Sequence, residues 1–405
     1  MDIRKTTRTA GLLAALALSM SLAGFITTIA ETGAPEQTAA LITETGNTET
    51  VRTFEGSALK SEDLFTSRDL EQTADLSEAE AISLKDGENI SITEEGVYVL
   101  SGSAKNVTVT VDTQDTEEAK VQIVLDGVTI TNTDFPAIYV KSADKVFITT
   151  AEGSVNSLSV TGTFKEDGTT NTDAVIFSKD DLTLNGLGTL NISSSDNGIV
   201  SKDDLRITGG TYVITAADHA VEANDSIRIS DGTFELTSGK DGLHAGDDDD
   251  ASTGYVYIGG GTLNIEAEDD AIHAVTILEI DDGDITMNAH EGLEATWVQI
   301  NGGKVNITAG DDGINAANKS SAYATLAEIT GGEITIVMSS GDTDAIDSNG
   351  SLVISGGSVD ITGPSAFDFD GSVSYTGGTL TVNGKPQSYI TSSMAAGGMQ
   401  GRQRG

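Results

Sequence analysis

Residues 209–301 read GGTYVITAADHAVEANDSIRIS, DGTFELTSGKDGLHAGDDDDASTGYVYIG, GGTLNIEAEDDAIHAVTILEID and DGDITMNAHEGLEATWVQIN. Each unit opens on Gly-Gly or Asp-Gly and runs through a short alternating strand into an acidic turn. A Gly or Ala with one apolar residue follows, then a second alternating strand. Period-two alternation puts Tyr212/Ile214, Phe234/Leu236, Leu263/Ile265 and Ile285/Met287 on one side of the first strand. The last strand does the same with Ile227/Ile229, Val256/Ile258, Leu278/Ile280 and Val298/Ile300. A unit of roughly 20–22 residues suits a coil of short strands and is too short for paired helices. Units of this kind bury their apolar face only by stacking on one another. The predicted fold is therefore all-β, a single-stranded parallel β-helix with the usual right-handed crossing.

The same columns extend in both directions. Strand signals start near Ala81 and continue to Asn383, with no stretch of helical period in between. This assigns residues 79–390 to one solenoid domain. Ahead of it, Arg4, Lys5 and Arg8 precede an apolar run from Ala10 to Ala30, which reads as a secretory signal over residues 1–30. Residues 31–78, rich in Thr, Glu, Ala and Ser, read as a flexible linker, and 391–405 as a disordered Gly-rich tail. The expectation is an exported, monomeric protein, free or held at the cell surface, with no membrane insertion once the signal is cut.

The chain has 405 residues and no cysteine, so neither disulfides nor thiolate metal sites contribute. With 63 Asp+Glu against 22 Lys+Arg, the formal charge of -41 argues against nucleic acid and anionic membrane as partners. The acids are not spread evenly. Before the Gly or Ala of the turn stand Asn197, His219, Asp241, Asp270, Glu291, Asp312 and Asp344. Two places after it stand Val200, Glu222, His244, His273, Glu294, Asn315 and Asp347. Parallel stacking lays such residues about 4.8 Å apart. Two carboxylates at that separation repel by roughly 1 kcal/mol in water and by more at a low-dielectric surface. The insertion GDDDDASTG adds Asp247, Asp248, Asp249 and Asp250 beside this edge. Asp and Asn are also good turn formers, which accounts for some of the pattern.

Calcium takes six to eight oxygen ligands in flexible geometry and would relieve the repulsion. The candidate metal ligands are Asp241, Asp247, Asp248, Asp249, Asp250, Asp269, Asp270, Glu291, Asp311 and Asp312. His244 and His273 share a column and could form a transition-metal pair, but oxygen donors outnumber them and calcium is preferred. The outward positions of the last strand carry Tyr255, Tyr257 and the single Trp, Trp297, with Arg228 alongside. These are the candidate carbohydrate-binding residues, because sugar rings pack on flat exposed aromatic faces. If the insertion folds over that strip, it is buried instead.

Several segments, among them VQIVLDGVTITN, AIYVKSADKVFITTAEGSVN, NGIVSKDDLRITGGTY and DGLHAGDDDDASTGYVYIGGGTLNI, resemble the bacterial carbohydrate-binding domain-containing family. The resemblance covers about Val97 to Asn383. It implies a secreted, polysaccharide-lyase-like, right-handed β-helix that holds calcium and binds polygalacturonate and cellulose. It also implies Asp241, Asp247, Asp249 and Asp270 as calcium ligands. Asp284 and Lys304 depart from the Thr usual at their repeat position, and the Gly-rich tail is shorter than usual. A non-catalytic binder of acidic, pectin-like polysaccharide, with cellulose as a second polymer, is the expected function. A pectate-type lyase needs a base, and the two Arg of the repeat body, Arg206 and Arg228, each have Asp close by. A structural adhesin is the third reading that an extended repeat allows.

Overall fold

The computed structural model describes residues 57–59, 64–114, 118–168, 170–247, 250–340 and 343–392. The expected signal, the first part of the linker and all but the first two residues of the tail lie outside them, as do Asp248 and Asp249. Among the described residues every regular element is a strand. The chain winds into a parallel β-solenoid of about eleven turns, and each coil contributes strands to three lines.

The register of these lines follows the apolar columns. One line stacks Leu190, Tyr212, Phe234, Leu263, Ile285, Val305, Ile334, Val359 and Leu380 in succession. A second stacks Leu205, Ile227, Val256, Leu278, Val298, Ala327 and Leu352. The third, a separate sheet of twelve strands, stacks Ile199, Val221, Leu243, Ile272, Leu293, Ile314 and Ile346. All of these side chains are buried, and they merge into one core running from Leu84 to Ile390. A one-residue slip would turn every one of them outward, so burial itself fixes the register.

The small residue in the turn of the third line has a steric cause. A Cβ on Gly242 would lie 2.6 Å from the Ala271 carbonyl oxygen and 2.4 Å from the Ile265 side chain. On Gly292 it would lie 2.3 Å from the Gly313 oxygen. At these two coils the neighbouring backbone lies so close that even an Ala Cβ would collide with it, which requires Gly. The Gly that opens each unit answers to the backbone instead, as at Gly303, where φ is 76° and an L side chain would be strained.

The expected linker differs from the structure. From Leu64 onward its last third is ordered against the flank of the solenoid, with Leu64 and Asp69 buried. Asp69 pairs with Lys145 at 2.8 Å, and the Gln72 amide donates to the Thr208 carbonyl at 2.9 Å while accepting from the Gly186 N–H at 2.9 Å. Together with residues 57–59 this stretch forms a strap across the outer face of the second strand line.

Candidate functional site

The strands of the third line are three to five residues long, with one central apolar side chain pointing in. Their outward neighbours therefore stand in two vertical columns on one face. Glu222, His244, His273, Glu294, Asn315 and Asp347 pair in register from coil to coil, and Asp270 pairs with Glu291 in the other column. The columns touch one another within a coil. His244 Nδ1 lies 2.6 Å from Asp241 Oδ2, and His273 Nδ1 lies 2.9 Å from Asp270 Oδ2.

Two halves of this ladder differ in charge balance. In the first, imidazoles sit between carboxylates: His219 and His244 flank Asp241, and His273 bridges Asp270 and Glu294 at 2.9 and 3.0 Å. Burial works against the Asp241 charge, but the His219 and His244 rings beside it outweigh burial and hold the carboxyl well below the usual range. Burial likewise opposes charge on His273, yet its bonds to Asp270 and Glu294 push it up to about 9. In the second half carboxylates face carboxylates. Glu291 is pushed up to about 8 by burial and by Glu294, Asp270 and Asp312, against the opposing hydrogen bond from Asn315. Burial and Asp347 raise Asp312 to about 7. Burial and Asp368 raise Asp347 to about 6. Among the described residues no Lys or Arg forms an ion pair with Glu291 or Asp312.

The expected metal ligands are thus only partly brought together. Oxygens of Asp270, Glu291 and Glu294 lie within 4.8 Å of one another, and Asp311 joins Glu291 and His290 in a second such group. Asp269 is exposed at the turn beside Asp270. Asp247 accepts a 3.3 Å bond from Asn224, and Asp250 closes its own turn with Ser252 at 2.9 Å. Glu294, His219 and Lys319 are members of this face that the carboxylate reading passed over. The column position of Glu294 was visible in the sequence. Lys319 reaches Glu294 at 2.9 Å from a long loop with no repeat spacing.

The aromatic strip is corrected by the structure. Tyr257, Trp297 and Arg228 are 7%, 6% and 7% exposed, and Tyr255 is half-buried. The cover is the strap and not the insertion. Ala58 and Leu59 pack on the group formed by Ile277, Trp297, Leu326 and Val353, and the Phe65 ring lies 6.2 Å from that of Tyr257. Arg228 donates to Asp204 at 2.7 Å and to the Leu64 carbonyl at 3.2 Å, with its guanidinium 5.1 Å over the Tyr255 ring. Arg206 bonds Asp181 and Asp204, both at 2.8 Å. Both arginines are consumed by structural ion pairs and neither faces solvent as a base.

Beneath the strap Glu279 is fully buried. It accepts the Leu59 N–H at 2.7 Å and the Ser57 hydroxyl. Burial pushes it up to about 8, with Asp281 adding to the shift and the Leu59 bond opposing it. A carboxyl whose folded value exceeds its unfolded one holds its proton more tightly in the native state. Its contribution is present below about 4.5 and is lost as pH rises through 8, at no more than about 1.4 kcal/mol per pH unit. Glu279→Gln should therefore flatten the decline of the melting temperature between pH 5 and 8. Parallel curves for parent and variant would contradict this.

The comparisons with known proteins bear on the whole solenoid. A family model described as "Carbohydrate-binding domain-containing protein" matches residues 86–342 and 292–402. A protein of the same description from Acetivibrio thermocellus is 40% identical over 128 residues, which is 31% of this chain and 44% of that relative. The match thus spans less than half of the relative's length. A solved structure described as a polysaccharide lyase-like protein from C. thermocellum, a gadolinium derivative, is 32% identical. It covers 52% of this chain and 90% of its own, with a TM-score of 0.47. With the family model matched across the strand ladders from the early coils to the last, the chain belongs to the carbohydrate-binding domain-containing family.

Proposed function

We propose that this protein binds an acidic, pectin-like polysaccharide without cleaving it, through calcium held on the carboxylate face of the third strand line. The observation that carries the reading is the convergence of Asp270, Glu291 and Glu294 oxygens within 4.8 Å, with no Lys or Arg paired to Glu291 among the described residues; Lys319 and His273, which pair with Glu294, would give way to the ion. The donor set fits a hard cation. All three groups are carboxylates, and the adjacent Asn315 carries a buried Oδ1 without a hydrogen-bond partner, an oxygen such an ion could use. Asn315 already touches the pair, donating to Glu291 at 2.9 Å and to Glu294 at 3.2 Å. When bound, calcium supplies positive charge that neutralises the face and leaves coordination positions for uronate carboxylates. The chain's own part is to hold these oxygens on a rigid sheet, so that little ordering is lost on binding.

The non-catalytic reading is supported by the pairing of Arg206 and Arg228 with Asp181 and Asp204. A charged segment before an apolar run at the N-terminus supports export. Cellulose is a second candidate polymer.

The test is retention on insoluble polygalacturonate. It should fall about tenfold, about 1.4 kcal/mol, with chelator. Glu291→Gln should reduce it in the same direction with the fold intact. Unchanged retention in chelator would remove calcium from the reading. Steady growth of ultraviolet absorbance from unsaturated chain ends would replace binding by lyase activity.

A further inference from the structure

The imidazole half of the ladder is unlike the rest of the face. Three rings, His219, His244 and His273, stack in consecutive coils with centroids 4.5 and 4.7 Å apart. Turn chemistry selects Asp, Asn and Gly, and has no use for three imidazoles in a row. We propose that His219, Asp241 and His244 form a site for one divalent first-row transition ion of the zinc type, separate from the calcium face.

The geometry is that of a facial ligand set. A single oxygen, Asp241 Oδ2, lies 3.3 Å from His219 Nδ1 and 2.6 Å from His244 Nδ1. Ligand atoms at about 2.0–2.1 Å from a tetrahedral ion are separated by roughly 3.3 Å, so small side-chain movements admit the ion. Two nitrogens and one oxygen are a borderline donor set, which selects zinc, copper or nickel over calcium. His219 Nδ1 accepts the Asp241 backbone N–H at 3.2 Å, a bond that the incoming ion would displace. Its other nitrogen, Nε2, faces Asp218 Oδ1 at 3.7 Å, and this oxygen is buried without a hydrogen-bond partner. A carboxylate behind a ligating imidazole fixes its tautomer and raises its basicity. Asp218 is itself held by Lys240 at 2.7 Å. On the remaining side Asp241 Oδ1 accepts the Asp270 N–H at 3.0 Å, which fixes the carboxylate against the next coil. The His244 side chain is 26% exposed, which leaves a path for the ion and a fourth position open to water. Asp270 and His273 repeat the pairing one coil on.

Full-length protein stripped with chelator should develop visible cobalt bands on titration with Co2+. Zn2+ should compete for the same site and bleach those bands. Excess Ca2+ should not displace either ion. Loss of an outer partner alone typically costs 10–100-fold in metal affinity, so His244→Gln and His219→Gln should each weaken binding by at least about tenfold. Glu291→Gln, on the calcium face, should leave it unchanged. Absence of cobalt bands, or equal Co2+ affinity in the parent and in either folded His variant, would overturn the proposal. So would Zn2+ binding no tighter than Ca2+.

Discussion

Asp69→Ala should destabilise the protein by about 3 kcal/mol, the lower end of the cost of breaking a buried ion pair, because Lys145 keeps only a longer contact to Asp181 at 3.8 Å. Asp69 has no exposed surface, and Lys145 keeps 9% of its side chain exposed. Oδ1 accepts from Lys145 at 2.8 Å and from Thr183 at 3.1 Å, while Oδ2 accepts from the Thr66 N–H and hydroxyl, both at 2.8 Å. Burial acts to raise its pKa, but the Lys145 bond and the Thr66 donors outweigh it and hold the carboxyl low. A depressed carboxyl stabilises above its unfolded value of 3.8 and loses that contribution as pH falls through the folded one. The Asp69 term should therefore be complete at neutral pH and fade in acid, opposite in sign to that of Glu279. Denaturant unfolding measures the loss, and proteolysis near residue 64 reports whether the strap has lifted. Lys145→Met in the Asp69→Ala background should restore part of the stability, because the buried charge left with only the 3.8 Å Asp181 contact is then gone. A loss below about 1 kcal/mol would mean that the pair behaves as a solvated surface bridge.

The solenoid was legible in the sequence because each coil repeats one decision. Leu243, Ile272, Leu293 and Ile314 occupy the same place after a Gly or Ala, and parallel stacking turns that spacing directly into register. The ladder of His244, His273, Glu294 and Asn315 follows from the same count.

The strap was not legible, and the reason is physical. It repeats nothing and is held by single contacts at Leu59, Leu64, Asp69 and Gln72, spread over a polar stretch with linker composition. Each contact is specific in space and silent in sequence. The misreading of the outer face follows from this. Period two correctly assigns Tyr257, Glu279, Gln299 and Glu328 to the outside of the second line. Alternation cannot say what lies on that outside. Buried Glu279 and Gln299 are odd residues for a covered face until the strap supplies their partners, the N–H groups of Leu59 and Ala58.

Trp297 is where that correction has its largest consequence. As an exposed sugar platform its loss would weaken binding and leave stability alone. As a buried residue it packs with Ile277, Leu326 and Val353 beneath Ala58 and Leu59. On the same covered face Glu328 accepts from Gln299 at 2.9 Å. Trp297→Ala should cost about 3–5 kcal/mol, the usual range for truncating a buried Trp. Trp297→Phe should recover most of the packing, and so fall between parent and Ala. At a temperature where the variants remain folded, retention on polygalacturonate per native molecule should match the parent, since the carboxylate face lies on a different strand line. A stability loss under about 1 kcal/mol joined to lost retention would reinstate the aromatic strip as the binding surface. It would require the strap to lift away when the polymer binds.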